Sequence, residues 1–277
     1  MGIKLVALDL DGTTLRSDLT VADHTRKTIK KAVDQGVIIV PTTGRAFHEL
    51  PKDITNIAGI TYAITSNGAQ VTELKTQKTL YANSLSGEDL NQVLAVLNPF
   101  DLMIEAYIEG RSVVMKQCMD HMEEYNVPRE YWPFFRSTRV AIAEKNGYFD
   151  YLHSHSVEKF NVFFKNIEDR LRLELALKEQ TKMTITSAVE NNLEINNPTA
   201  NKKDGLDHLC QVLKVSHQDI MAMGDSNNDC EMLKYAGFAV AMKNGIDRVK
   251  EISDYVTKNN DDHGVAYALE KFVLNAS

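Results

Sequence analysis

Near the amino terminus an apolar run ends in two acids. Leu5, Val6, Ala7 and Leu8 read as a buried strand, and Asp9 and Asp11 follow at its carboxyl end, before Gly12 and two threonines break it into a turn. Residues i and i+2 of a strand point to the same side. Two carboxylates held side by side at the end of a buried strand repel each other and cost stability. A metal ion or a chemical task would offset that cost.

The rest of the first stretch alternates strands and helices. A strand over 3–8 leads to a helix over 22–35 ended by Gly36, then to an apolar run over 37–40 that enters Pro41-Thr42-Thr43-Gly44-Arg45. A strand at Tyr62–Thr65 runs into Ser66-Asn67-Gly68, a hairpin signal. The same pattern returns from Asn192, with a helix at Lys202–Leu213, a strand over 220–223, a helix over 227–235, strands at Phe238–Ala241 and 254–256, and a last helix over 264–274. Such βαβ alternation predicts an α/β, Rossmann-like core, a mostly parallel sheet covered by helices on both faces. The middle differs. Apolar and polar residues alternate over 102–107 and 112–116, as in half-buried antiparallel strands. Strands are also expected over 159–165 and 183–188, an amphipathic helix over 168–179, and a loop or packing edge over the Pro- and aromatic-rich 127–135. The predicted organisation is a core of residues 1–85 and 190–277 with an α+β domain, 86–189, inserted into it.

Composition narrows the partners. At 277 residues and 43% hydrophobic, the chain can bury a sizeable core and is long enough for two domains. A formal net charge of -7 with no cluster of Lys and Arg argues against nucleic acid or an anionic membrane surface. Cys118, Cys210 and Cys230 have no CxxC spacing, so neither a zinc site nor a disulfide framework is indicated, and reduced thiols point to the cytoplasm. The apolar stretch at the N-terminus is short and interrupted by Asp9, so no signal peptide is expected, and no apolar run approaches the ~20 residues of a membrane helix.

Four short motifs each follow a predicted strand: Asp9-Leu10-Asp11-Gly12-Thr13, then Thr43-Gly44-Arg45, then Lys202, then Gly224-Asp225-Ser226-Asn227-Asn228-Asp229. Open α/β sheets place their sites at strand ends. Singly each motif could be a surface turn or a solvated helix start; together they are hard to explain as packing. They suit phosphoryl transfer, which needs a nucleophile, an acid or base, a cation for the phosphate oxygens and donors to position them. Carboxylates with a hydroxyl and backbone carbonyls make a hard, all-oxygen site that suits Mg²⁺ and not zinc. An ionised carboxylate can attack phosphorus in line, while a second carboxyl two residues on protonates the leaving oxygen and then deprotonates a water.

These motifs resemble those of the haloacid dehalogenase-like superfamily, and the insert between the second and third resembles the type-IIB cap of its Cof-type sugar-phosphatase branch. The resemblance covers essentially the whole chain. It implies Asp9 as nucleophile and Mg²⁺ ligand, and Asp11 as general acid and base with its backbone carbonyl on the metal. It implies Thr43 as a hydroxyl donor to the phosphoryl group, with the backbone N–H groups of Leu10 and Gly44. Lys202, which fits the spacing to Gly205 and Leu206 better than Lys203 does, would neutralise charge. Asp225 would ligate Mg²⁺, Asp229 would support metal and lysine from behind, Asn228 would contact phosphate, and the Asn67-Gly68 turn would lie near substrate. The second acid, Asp11, points to a phosphatase or phosphomutase and away from transport ATPases and dehalogenases.

Other signals carry less. His153 and His155, spaced as on one strand face, lack a third ligand and are more often surface residues. Trp132 with Tyr131, Phe134 and Phe135 reads as packing of the insert more readily than as a stacking platform, and Arg129, Arg136 or Arg139 could meet an anionic substrate. Met221 and Met223 are core. The expected activity is hydrolysis of small phosphorylated metabolites, foremost sugar phosphates, with the insert choosing among them; a phosphomutase and a non-catalytic sugar-phosphate sensor are the rivals.

Overall fold

The computed structural model describes residues 2–187 and 191–275. They form two compact units, one comprising Met1–Arg45, Leu50–Tyr81 and Asn201–Ser277, the other Ala46–Glu49 and Ala82–Ala200.

The first unit is built on a five-stranded parallel sheet in the order Tyr255–Val256, Phe238–Ala241, Ile220–Gly224, Leu5–Leu8, Ile38–Pro41. The central strands Leu5–Leu8 and Ile220–Gly224 are buried on both faces, as the near-continuous hydrophobic sequence of a covered parallel sheet requires, while the edge strand Tyr255–Val256 leaves Val256 exposed. Leu5, Ala7, Val40, Ile220 and Ala222 join Leu206 and Leu209 of helix Lys202–Leu213 in one apolar cluster. Met221 and Met223 are fully buried, as predicted. In the register Leu8 lies opposite both Met223 and Pro41, so three strands reach their carboxyl ends level with one another. That alignment gathers the sequence motifs. The predicted hairpin forms: Tyr62–Thr65 pairs antiparallel with Gln70–Glu73, and Lys78–Ala82 completes a three-stranded sheet. The expected helix over 227–235 is shorter, a 3₁₀ turn Asn227–Asp229 leading into Cys230–Tyr235.

The second unit holds a six-stranded sheet in the order Thr184–Thr186, Asn192–Asn196, Lys159–Phe164, Leu102–Ile108, Arg111–Met115, Val140–Ile142. All neighbours are antiparallel except the last pair. Ile104, Ala106, Phe160, Val162, Leu193 and Ile195 pack with Leu90, Val93, Leu97, Leu173 and Leu177 of helices Gly87–Leu97 and Asp169–Gln180. The opposite face carries Glu105, Lys159, Asn161, Asn192 and Glu194, all buried. The sequence alternation that suggested half-buried strands therefore has another cause. The polar face is buried too, with its groups hydrogen-bonded to one another, as in Asn161 Nδ2 to Glu105 Oε2 at 2.7 Å.

Several expectations change. The strand Asn192–Asn196, read with the returning α/β half, pairs antiparallel with Lys159–Phe164 and clusters with the second unit. On the amino-terminal side the units divide after Tyr81 rather than after residue 85, because Leu85 already pairs with Val157, its N–H donating to the Val157 carbonyl at 2.7 Å. The expected boundary between 189 and 190, and the end of the strand at Ala188, lie outside the described residues. Residues 127–135 are not a plain loop. A 3₁₀ turn Arg129–Tyr131 enters helix Trp132–Thr138, and Trp132 packs there with its Nε1 donating to the Val127 carbonyl at 3.0 Å. His153 ends helix Lys145–His153 instead of lying on a strand, and His155 stacks on Tyr151. Arg129 and Arg136 lie by the Trp132 ring. The Arg139 side chain is buried and paired with Glu105 at 2.7 Å and Glu49 at 3.2 Å, so its charge is already engaged. Among the described residues no helix is long and apolar enough to cross a membrane.

Candidate active site

The site is assembled in the first unit from the ends of adjacent strands. Asp9 leaves strand Leu5–Leu8 in extended conformation (φ -64°, ψ 158°), and its N–H donates to the Met223 carbonyl of the neighbouring strand at 3.0 Å. The chain then tightens over Leu10–Thr14, where Thr14 Oγ1 donates to the Asp9 carbonyl at 2.6 Å. Gly12 makes the turn possible. Its φ of +76° is strained for any L side chain, and a Cβ there would stand 2.4 Å from Asp225 Oδ2. Gly12→Ala should therefore lower stability by about 1–3 kcal/mol and displace Asp225. Thermal unfolding together with turnover would check it; unchanged values in both would show the turn to be tolerant.

Lys202 is the second component. It opens helix Lys202–Leu213 behind Asn201, whose side chain accepts from Asp204 N at 3.0 Å and caps the helix. The Asn67-Gly68 turn fixes where that helix begins: a Cβ on Gly68 (φ +91°) would come within 1.9 Å of the Asn201 carbonyl oxygen. The Lys202 side chain is fully buried, with Nζ 2.6 Å from Asp9 Oδ1 and 2.6 Å from Asp229 Oδ1. Lys203 instead lies at the surface, 3.5 Å from Asp207. Burial works against the charged amine, but the carboxylates of Asp229 and Asp9 outweigh it and hold the Lys202 proton more firmly than in a free lysine. A buried ammonium survives only with such partners.

The loop after strand Ile220–Gly224 supplies the remaining acids. Asp229 spends one oxygen on Lys202, while its Oδ2 accepts from the N–H groups of Asp225 at 2.9 Å and Ser226 at 3.0 Å. Asp225 takes a hydrogen bond from Thr13 Oγ1 at 2.8 Å. Oxygens of Asp9, Asp225 and Asp229 all lie within 4.8 Å of one another. Burial first, then the Asp229 charge, pushes the Asp9 carboxyl well up, against the pull of Lys202. The same two causes raise Asp225 to about 6. Three acids thus face one amine in a buried space. That surplus of negative charge, in a set of hard oxygen donors, fits a small divalent cation and offers nothing to a soft one.

The other predicted residues fall around this cluster. Thr43 is buried beyond strand Ile38–Pro41, its N–H donating to the Ile64 carbonyl at 2.9 Å and its Oγ1 accepting from Arg45 N at 3.1 Å. Gly44 lies between them. Leu10 is buried in the Asp9 turn. Asn228 Nδ2 donates to Asn67 Oδ1 at 3.2 Å, which joins the fourth motif to the hairpin turn. Asp11 is outside the acid cluster: Arg45 grips it with Nε at 2.7 Å and Nη2 at 2.6 Å from its two oxygens. The sequence pattern assigns no separate role to Arg45 or Thr13. Both sit inside recognised motifs, but nothing local marks an arginine as the partner of an acid 34 residues away.

The chain is similar along its length to known proteins. A family model described as haloacid dehalogenase-like hydrolase matches residues 6–269. The 5-amino-6-(5-phospho-D-ribitylamino)uracil phosphatase YcsE of Bacillus subtilis is 28% identical over 272 residues, 98% of this chain and 96% of that one. A haloacid dehalogenase-like hydrolase of B. subtilis has the same fold, with a TM-score of 0.84 at 24% identity over 98% of this chain and 100% of that one. So does a subclass IIB sugar phosphatase of that superfamily, with a TM-score of 0.80 at 20% identity over 97% of this chain and 98% of that one.

Proposed function

The chain belongs to the haloacid dehalogenase-like hydrolase family, in its Cof-type branch, and from that premise we propose that it is a Mg²⁺-dependent phosphatase of small phosphate monoesters, foremost sugar phosphates. It is a phosphoric monoester hydrolase; the substrate, the metal and the steps are the proposal. The observation that carries it is the Lys202 ammonium fixed 2.6 Å from both Asp9 and Asp229, with Asp225 alongside. Such a cluster presents one oriented carboxylate together with the charges that a phosphoryl group needs.

In this reading an Asp9 oxygen attacks phosphorus while Asp11 gives its proton to the leaving oxygen and the ester P–O bond breaks. A water then attacks the aspartyl phosphate, Asp11 takes its proton, and the Asp9–phosphorus bond breaks to release phosphate. Lys202 holds the Asp9 carboxylate in one orientation and offsets charge on the phosphoryl group. Thr43, the N–H groups of Leu10 and Gly44, and Asn228 would hold the phosphoryl oxygens. Asp9, Asp225 and the Asp11 carbonyl would hold Mg²⁺, which when bound neutralises charge developing on those oxygens. The core grips only what every phosphate ester shares, so recognition of the remainder is assigned to the second unit. YcsE is named a phosphatase of 5-amino-6-(5-phospho-D-ribitylamino)uracil, in which the phosphate is carried by a ribityl chain, and the subclass IIB neighbour is named a sugar phosphatase. Both names support a polyol or sugar leaving group. Three free cysteines, all buried, fit a reducing cytoplasm.

The test is release of inorganic phosphate from a panel of phosphorylated sugars and polyols. Turnover should stop with a chelator and return with Mg²⁺. Full activity in excess chelator, or return of the phosphoryl group to a second position of the sugar without release, would overturn the reading.

A further inference from the structure

Arg45 is the one arginine of the recognised motifs, and the steps above leave it without a task. It donates from Nε to Asp11 Oδ2 at 2.7 Å and from Nη2 to Asp11 Oδ1 at 2.6 Å, a two-pronged grip on both oxygens. The two side chains differ in access. That of Arg45 is only 9% exposed, whereas that of Asp11 is 38% exposed. The arginine is itself held along its backbone: its N–H donates to Thr43 Oγ1 at 3.1 Å and its carbonyl accepts from Ser66 N at 2.9 Å. Asp11, by contrast, sits in a non-helical position (φ -72°, ψ 123°) just before Gly12. A short acid there has two free torsions and several rotamers to choose from.

We propose that Arg45 is the positioning residue for Asp11, fixing the carboxyl that transfers the proton to the leaving oxygen. The inference rests on the acid–base reading of Asp11 given above. Only a planar fork sets both the direction and the tilt of a carboxyl group; an ammonium supplies charge without that orientation. When Asp11 gives up its proton to the leaving oxygen, one of its oxygens remains on the guanidinium. The carboxylate left behind regains both bonds and stands ready to accept a proton from water. Proton transfer requires hydrogen-bond reach, and a misplacement of about 1 Å costs about 100-fold.

The experiment is single-turnover phosphorylation of Asp9 in the full-length protein with Mg²⁺, across monoesters whose leaving groups run from p-nitrophenol to a sugar hydroxyl. Arg45→Ala should slow the sugar ester by about 100-fold. The nitrophenyl ester, which needs little protonation, should slow by less than about threefold. Arg45→Lys should fall between, and millimolar guanidinium should restore part of the lost rate in Arg45→Ala. A purely structural role would not produce dependence on the leaving group. An equal loss for every ester, or no loss, overturns the proposal. If Arg45→Ala does not fold, the same profile is read on Arg45→Lys. Asp11→Asn run in parallel separates the two ideas. If it shows no dependence on the leaving group, the role of Asp11 itself fails; if it shows that dependence and the Arg45 variants do not, only the positioning role fails.

Discussion

Asp9→Asn should abolish turnover, lowering it by at least about 10⁴-fold, and leave the protein folded. The loss follows from the chemistry: a neutral amide is too poor a nucleophile for phosphorus, and Asp11, the other carboxylate beyond strand Leu5–Leu8, is held by Arg45 outside the acid cluster. The fold should survive because Lys202 retains Asp229 at 2.6 Å, so the buried ammonium is not left uncompensated. Removing Asp9 also relieves crowding among three acids that burial and mutual repulsion already strain. Rapid quenching of the parent enzyme during turnover, followed by mass spectrometry, should find the phosphoryl group on Asp9. A phosphoryl group on any other residue, or an active Asp9→Asn protein shown free of deamidation, would refute the assignment.

The second large effect has opposite signs for activity and stability. Asp225→Asn should depress turnover on the order of 10³-fold, because the proposed cation loses a charged ligand. Without metal, however, the variant should be more stable than the parent at neutral pH. Burial first, then the Asp229 charge, pushes the folded Asp225 carboxyl up to about 6 from an ordinary 3.8. A carboxyl raised on folding favours the native state while it holds its proton. That contribution is present below pH 4, fades as pH rises from 4 to 6, and is gone by pH 7. Asparagine has nothing to lose over that range. The Tm of the metal-free variant should therefore exceed that of the parent at pH 7 to 8, and the gap should close below pH 4. Adding Mg²⁺ should raise the parent's Tm and leave the variant's nearly unchanged, since a ligand stabilises only the state that binds it. A metal-free parent more stable than Asp225→Asn at pH 8 would show that the acid cluster is not repulsive, and with that the argument for a cation there would weaken.

What could be read from the chain alone was local. The run Leu5–Leu8 had to be a buried strand, and Gly12 had to turn the chain beyond it, because apolar continuity and glycine's freedom act within a few residues. Each further motif followed its own strand for the same reason. Parallel strands end at one edge of a sheet, so their order in the chain already brings Asp9, Thr43 and Asp225 near one another. Even the choice of Lys202 over Lys203 rested on spacing within one helix, and the structure buries the first and leaves the second at the surface.

Long-range pairing was another matter. Strand Asn192–Asn196 has the same local pattern whichever sheet it joins; only the partners Phe160, Val162 and Asn161 place it in the second unit. Residues Ala46–Glu49 follow the second motif without a break in sequence, yet they cluster with the second unit, where His48 N donates to the Gly110 carbonyl at 2.9 Å. The alternation over 102–107 could not say whether the polar face met water or other buried polar groups, because a buried, paired Glu105 and an exposed one look alike in sequence. Arg45 on Asp11 is the same case at the site itself. An ion pair depends on where two side chains end, and chain closure over 34 residues sets that position, not the identity of either residue's neighbours.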